Sequence, residues 1–159
     1  MKITVLCVGK IKEKYFAGAI EEYTKRLSRY CKLEIIEVAD EKTPDGASEA
    51  LNEQIKQKEA DRLLKYLPED AYLIVLAILG KQLTSVELSE TIGTLGVRGI
   101  SHIVFVIGGS LGLADDMIKK ADFLLSFSKL TFPHQLMRVM LLEQIYRSYR
   151  ILQGAPYHK

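Results

Sequence analysis

The sequence contains no tryptophan, and only two cysteines, four prolines and three histidines in 159 residues. Cys7 and Cys31 lack C-x-x-C spacing, so they read as reduced thiols of a cytosolic protein rather than as a disulfide framework. His102, His134 and His158 lie far apart without metal-ligand spacing, and no metal is expected. No apolar run approaches the roughly 20 residues that cross a bilayer. The longest, Ala71 to Leu79, is strand length, which excludes a membrane-spanning helix. The chain opens Met1-Lys2-Ile3-Thr4-Val5 and enters an apolar strand at once, without the longer stretch and cleavage site of a signal peptide. A cytoplasmic protein is expected. Linkers, low-complexity tracts and internal repeats are also missing, so residues 1–159 read as one domain.

What is present is apolar material and an uneven charge. Hydrophobic residues make up 48% of the chain, enough for a sizeable core. The net charge of +2 hides a pattern. Residues 1–32 hold eight Lys/Arg against three acids, residues 33–128 nine against sixteen, and residues 129–159 five against one. Both ends are basic and the middle is acidic. If the ends meet in the fold, they form a positive face of the kind that attracts phosphates; ordinary solvated helix surface would give the same counts.

Hydrophobic periodicity predicts alternating strands and helices. Lys2–Val8 reads as a buried strand, and Lys14–Tyr30 as a helix on Phe16, Ile20, Tyr23, Leu27 and Tyr30. Leu33–Val38 is a second strand. The turn Thr43-Pro44-Asp45-Gly46 opens a charged helix that runs to about Leu67, and Pro68 stops it. Tyr72–Leu79, uniformly apolar, suits a parallel strand covered on both faces. Thr84 and Glu87 form a capping box for a helix that ends around Gly96–Gly99. His102–Ile107 is a fourth strand, Ala114–Ala121 a short helix and Phe123–Phe127 a fifth strand. A last helix of about 17 residues, about 25 Å long, follows Pro133. This order calls for an α/β fold: a mostly parallel sheet with helices on both faces.

Ligands of such sheets bind beyond the carboxyl ends of the strands. Three segments end there: Leu76–Gly80, Ile107–Gly112 and Phe127–Phe132. Glycines 108, 109 and 112 let backbone approach a ligand, and they also fit a tight turn with no ligand. The loop lacks the G-x-G-x-x-G dinucleotide fingerprint and its later acid, and Gly80-Lys81-Gln82 lacks the rest of a P-loop. His134 falls in the first turn of the last helix, where capping is its plain role. That helix carries Arg138, Arg147 and Arg150. Glu143 precedes Arg147 by four, the favourable order for an ion pair. The row reads either as a salt-bridged surface or as an arginine row for RNA phosphates. The wide apolar stripe of the helix marks a candidate subunit interface. The tail Pro156-Tyr157-His158-Lys159 is polar and aromatic, in a position where chains usually fray.

In order and spacing, Glu22-Tyr23-Thr24-Lys25-Arg26-Leu27, Leu79-Gly80-Lys81-Gln82-Leu83-Thr84-Ser85, Ile107-Gly108-Gly109-Ser110-Leu111-Gly112, Leu130-Thr131-Phe132-Pro133-His134-Gln135 with Arg138, Glu143-Gln144-Ile145-Tyr146-Arg147 and the terminal Pro156-Tyr157-His158-Lys159 closely resemble one family. It is the ribosomal large-subunit methyltransferase H family of the knotted SPOUT class, and the likeness runs nearly end to end.

The resemblance implies a C-terminal trefoil knot, a homodimer and S-adenosyl-L-methionine held in the knot by Leu76, Gly108, Phe127, Ser128, Lys129, Leu130, Thr131 and Phe132. It implies methylation of N3 of a pseudouridine in 23S ribosomal RNA on the assembled ribosome. General topology rules would have drawn an open sheet instead. Under this reading His158 is the candidate for removing the N3 proton, since neutral imidazole is available near pH 7. Arg147 and Lys159 would hold phosphate or the developing anion. Two alternatives are a non-catalytic RNA-binding or ribosome-assembly factor, and a nucleotide-dependent oxidoreductase, which the missing fingerprint disfavours.

Overall fold

The computed structural model describes residues 1–159. Strands β1 (Lys2–Val8), β2 (Lys32–Val38), β3 (Tyr72–Gln82), β4 (His102–Ile107) and β5 (Phe123–Ser126) form one sheet. They alternate with helices α1 (Lys14–Leu27), α2 (Glu49–Leu64), α3 (Ser85–Val97), α4 (Asp115–Lys120) and α5 (His134–Leu152). The strand order is β2-β1-β4-β3-β5 and every pairing is parallel.

The period-2 alternation of strands sorts the core into two layers. Ile3, Val5 and Cys7 of β1, with Ile103, Phe105 and Ile107 of β4, pack with Leu27 of α1, Leu88 and Ile92 of α3 and Leu141 and Ile145 of α5. On the other face, Leu6, Val8, Val104 and Val106 pack with Leu63 of α2 and Met117 of α4. Crossovers that step one way along the sheet use one face, and those that step back use the other. All four therefore share one hand, as parallel crossovers must for a twisted sheet.

Several boundaries differ from the expectation. Helix α1 ends at Leu27, not Tyr30. Helix α2 starts at Glu49, after the 43–46 turn, because the Ser48 hydroxyl accepts from the Leu51 N–H at 3.1 Å and caps it there; it ends at Leu64. Helix α5 runs 19 residues. The capping box of α3 is present with both of its hydrogen bonds.

The largest difference lies in β3. It continues to Gln82, and both Leu76 and Lys81 stand opposite Leu125 of β5, so residues 77–80 bulge out between them. Gly80 permits this: a Cβ there would lie 2.8 Å from the Leu124 carbonyl carbon and oxygen. The bulge uncovers apolar side chains that a strand covered on both faces would hide, and Leu79 is 97% exposed.

Helix α5 packs along α1 and α3, so the two basic ends of the chain do meet. The Arg26 guanidinium lies over the Tyr23 and Tyr146 rings, and Arg150 donates to the Tyr30 hydroxyl at 3.1 Å. Part of that charge is matched locally, Arg26 by Glu22 and Arg147 by Glu143.

The start of α5 is tied to the ends of β1 and β2 by Arg138, 1% exposed. Its guanidinium donates to the Val8 carbonyl at 3.3 Å, the Gly9 carbonyl at 2.5 Å and the Glu37 carboxylate at 2.5 Å. Removing one partner of a buried pair strands the rest. Arg138→Met is expected to cost about 3 kcal/mol in urea unfolding; a loss below about 1 kcal/mol would mean the helix is held by its apolar face alone.

Candidate functional site

A cavity of about 810 Å³ opens beyond the carboxyl ends of β3, β4 and β5. That is within the range of small-molecule clefts, about 300–1,000 Å³. Three loops form it: the β3 bulge, the glycine loop after β4, and residues 127–133 between β5 and α5. Of the residues singled out from sequence, Leu76, Gly108, Phe127, Ser128, Leu130, Thr131 and Phe132 are on its wall; Lys129 lies in the same loop but not on the wall. No Lys, Arg, Asp or Glu side chain lines it.

The glycines are explained by the turn itself. Gly112 has φ +85° and donates to the Gly109 carbonyl at 3.0 Å. A Cβ on Gly108 would come within 2.8 Å of the Leu113 side chain and 3.0 Å of the Gly112 backbone. The tight-turn reading was correct as far as it went. What it leaves over is the backbone: the amides of Ser110 and Leu111 donate to no protein acceptor, nor do those of Phe127, Ser128, Lys129, Thr131 and Phe132. Main-chain donors are rarely left unpaired, and a ligand edge or water completes them.

Two residues that border this cavity were not picked out as site residues. His134 is on its wall, packed so closely on Gly9 that a Cβ there would be 3.0 Å from His134 Cε1. The expected capping role is not found: α5 has Pro133 at its N-cap and no side-chain cap. His134 Nδ1 is buried without a partner. Burial, then the neighbouring Arg138, lowers the His134 pKa below the usual histidine value. Behind the glycine loop, Glu59 of α2 is 4% exposed. Its Oε2 accepts from the Glu41 N–H at 3.0 Å, and a Cβ on Gly109 would be 3.0 Å from its Oε1. In sequence Glu59 is one charge among many on a charged helix, and nothing distinguishes it.

The tail is ordered against α5. Glu143 accepts from Arg147 Nε at 3.0 Å and from the Tyr157 hydroxyl at 3.2 Å. The Tyr157 ring packs edge-on against Tyr146 and under the Arg147 guanidinium. His158 Nδ1 lies 3.2 Å from Arg147 Nη1. A guanidinium can only donate, so this nitrogen accepts and the neutral ring carries its proton on Nε2. Lys159 makes no side-chain contact of this kind. The Glu143 cluster borders a second cavity of about 420 Å³, which shares only Leu125 and Phe127 with the first. Within one chain, Arg147 and His158 come together but stand apart from the larger cavity.

A histidine pKa that is lowered on folding makes the unfolded chain bind more protons. Stability tied to His134 is therefore intact above the ordinary histidine pKa of about 6.5 and falls as pH drops below it. Thermal midpoints measured from pH 7.5 to 5.5 are expected to fall further for the wild type than for His134→Gln; parallel curves would show that His134 stays uncoupled from folding.

Residues 1–158 match a family model described as predicted SPOUT methyltransferase. A protein from Bifidobacterium adolescentis named ribosomal RNA large subunit methyltransferase H is 64% identical over 159 residues, covering 100% of both chains. A protein of the same name from Clostridium kluyveri is 57% identical with the same coverage. The solved structure of a probable methylase family protein from Haemophilus influenzae Rd KW20 superimposes with a TM-score of 0.52, covering 99% of this chain and 70% of that one. At 13% identity it speaks for the fold alone.

Proposed function

The chain belongs to the SPOUT methyltransferases, and among them to the ribosomal RNA large subunit methyltransferase H family; on that premise we propose that it methylates N3 of a pseudouridine in 23S ribosomal RNA from S-adenosyl-L-methionine. In this reading it is a cytoplasmic single-domain enzyme of residues 1–159. It closes in a C-terminal trefoil knot and works as a homodimer on the assembled ribosome.

The carrying observation is the large cavity, whose walls are apolar and whose loops present unpaired amides. These suit the faces and the polar edge of an adenine. Leu76, Gly108 and residues 127–132 would hold the cofactor. The tie from Arg138 to the end of β1, with the β3 bulge over β5, supports a threaded C-terminus. Exposed Leu79 and Leu130 beside the cavity support a dimer, as does the separation of the tail from that cavity, which a second chain's tail would remedy.

When bound, the cofactor supplies an electrophilic methyl group on a sulfonium. The protein's share is placement: the apolar walls exclude water, and the loop amides orient the donor. Good placement alone lowers such barriers by about 7 to 11 kcal/mol.

N3 of a pseudouridine must lose its proton. Sequence points to His158 as its acceptor; we read His158 instead as a donor, a reading supported by the Arg147 guanidinium facing Nδ1, which leaves Nε2 to carry hydrogen. His158 is then a donor to the carbonyl oxygen beside N3, where negative charge develops. Arg147 and Lys159 add positive charge, and the proton passes to solvent.

Titration calorimetry with S-adenosylmethionine, with NADH as control, is expected to give micromolar binding for the former alone, followed by methyl transfer to ribosomes. Binding of NADH only would replace this reading with the oxidoreductase. Losing one such donor costs about 100-fold in rate. His158→Ala is expected to lose about that factor in kcat, while His158→Gln, which keeps an N–H, recovers part of it. Equal loss in both variants, with the acidic limb of the pH–rate profile removed, would restore His158 as the base.

A further inference from the structure

The large cavity raises an electrostatic question that its walls do not answer. A sulfonium is a cation, and an isolated cation in an apolar, water-poor site needs a counter-charge. Not one acidic or basic side chain lines the cavity, and its only titratable group, His134, would oppose a cation if protonated. The nearest candidate stands one residue behind the wall. Glu59 is buried, accepts one hydrogen bond and has no cation within ion-pair distance; Arg62, one turn on, is spent on Glu41 and the Ala39 carbonyl. Gly109 brings the wall onto it. With no side chain at 109, cavity lining and carboxylate are separated by a single backbone, whereas a Cβ would press on Glu59 Oε1 at 3.0 Å and Val8 Cγ1 at 3.1 Å.

We infer that Glu59 is a charge-selecting residue behind the glycine loop, favouring a cationic sulfonium ligand over its uncharged thioether counterpart. The inference rests on the cofactor reading above. Methyl transfer breaks the S–CH3 bond with both electrons kept by sulfur, so the product has lost the positive charge that Glu59 attracts. The same carboxylate that holds the donor thus ceases to hold the product. Glu59 touches neither ligand and acts as a positioning residue through the field it projects across Gly109. The charged groups that face it are Asp40 and Glu41 from the β2–α2 loop and Arg62 from its own helix, which leave the spot net negative. Burial, and after it the Asp40 carboxylate, raise its pKa from the ordinary value, against the Glu41 N–H, which lowers it.

The test is calorimetric titration of the full-length wild type and Glu59→Gln with S-adenosylmethionine and, separately, with S-adenosylhomocysteine, at pH 8. Gln keeps the acceptor for the Glu41 N–H, and a far-ultraviolet spectrum checks that the variant is folded. The expected result is a wild-type preference for the sulfonium that drops about tenfold in Glu59→Gln, with thioether affinity unchanged. A variant that weakens both ligands equally would overturn the inference, since a structural role alone does that. A sulfonium preference that survives unchanged in Glu59→Gln would overturn it as well. If the wild type binds neither ligand, the cofactor reading fails first and this inference falls with it. If Glu59→Gln does not fold, Glu59→Asp, which keeps the charge, decides: a sulfonium preference kept there supports the inference, and one that vanishes although the charge is present overturns it.

Discussion

The Arg138 guanidinium is the contact on which the rest of the site depends. It reaches from the first turn of α5 into the sheet and takes up the carbonyls that β1 leaves open at Val8 and Gly9. Strand β1 is flanked by β2 and β4, so whatever is fixed to its end is fixed to the middle of the molecule. Through this tie the loop 127–133 has one end anchored in β5 and the other in α5, and it closes against the glycine loop. A buried arginine is costly unless its donors are met, and here two carbonyls and a carboxylate meet the two terminal nitrogens, leaving Nε buried without a partner. Gln135 extends the tie, accepting from the Lys12 N–H at 2.9 Å.

Much of the sheet was legible because strand patterning is direct. The alternation in β1 and β4 is the alternation of the two core layers, and the capping box at Thr84 and Glu87 is a local interaction that tertiary contacts do not override. The end of β3 was illegible for a physical reason. Ile78 and Leu79 prolong an apolar run, and one sequence cannot distinguish an apolar residue under a helix from one on an uncovered bulge. The decisive fact is that Gly80 nests on the backbone of residues 124–125, a contact more than 40 residues distant.

The site was legible in its loops and illegible in its electrostatics. Leu76, Gly108 and the 127–132 segment converge because strand ends converge. Glu59 and His134 act through burial, and burial is a property of the assembled fold. The tail shows a further limit. His158 and Arg147 were named for one site from sequence, and which imidazole nitrogen bears hydrogen follows only from seeing which one faces the guanidinium.

The joining of the two chain ends also governs when the molecule can fold. Strand β1 is made first and α5 last, yet Leu141, Leu142 and Ile145 of α5 share a layer with Ile3, Val5 and Cys7 of β1. During synthesis α1 and α3 cover part of that face, and the rest stays open until α5 emerges. An N-terminal half cannot settle ahead of the remainder, as it does in chains built from successive independent units. Within this chain, completion of the core waits for α5, and the part of the sheet face that α5 covers stays open until then.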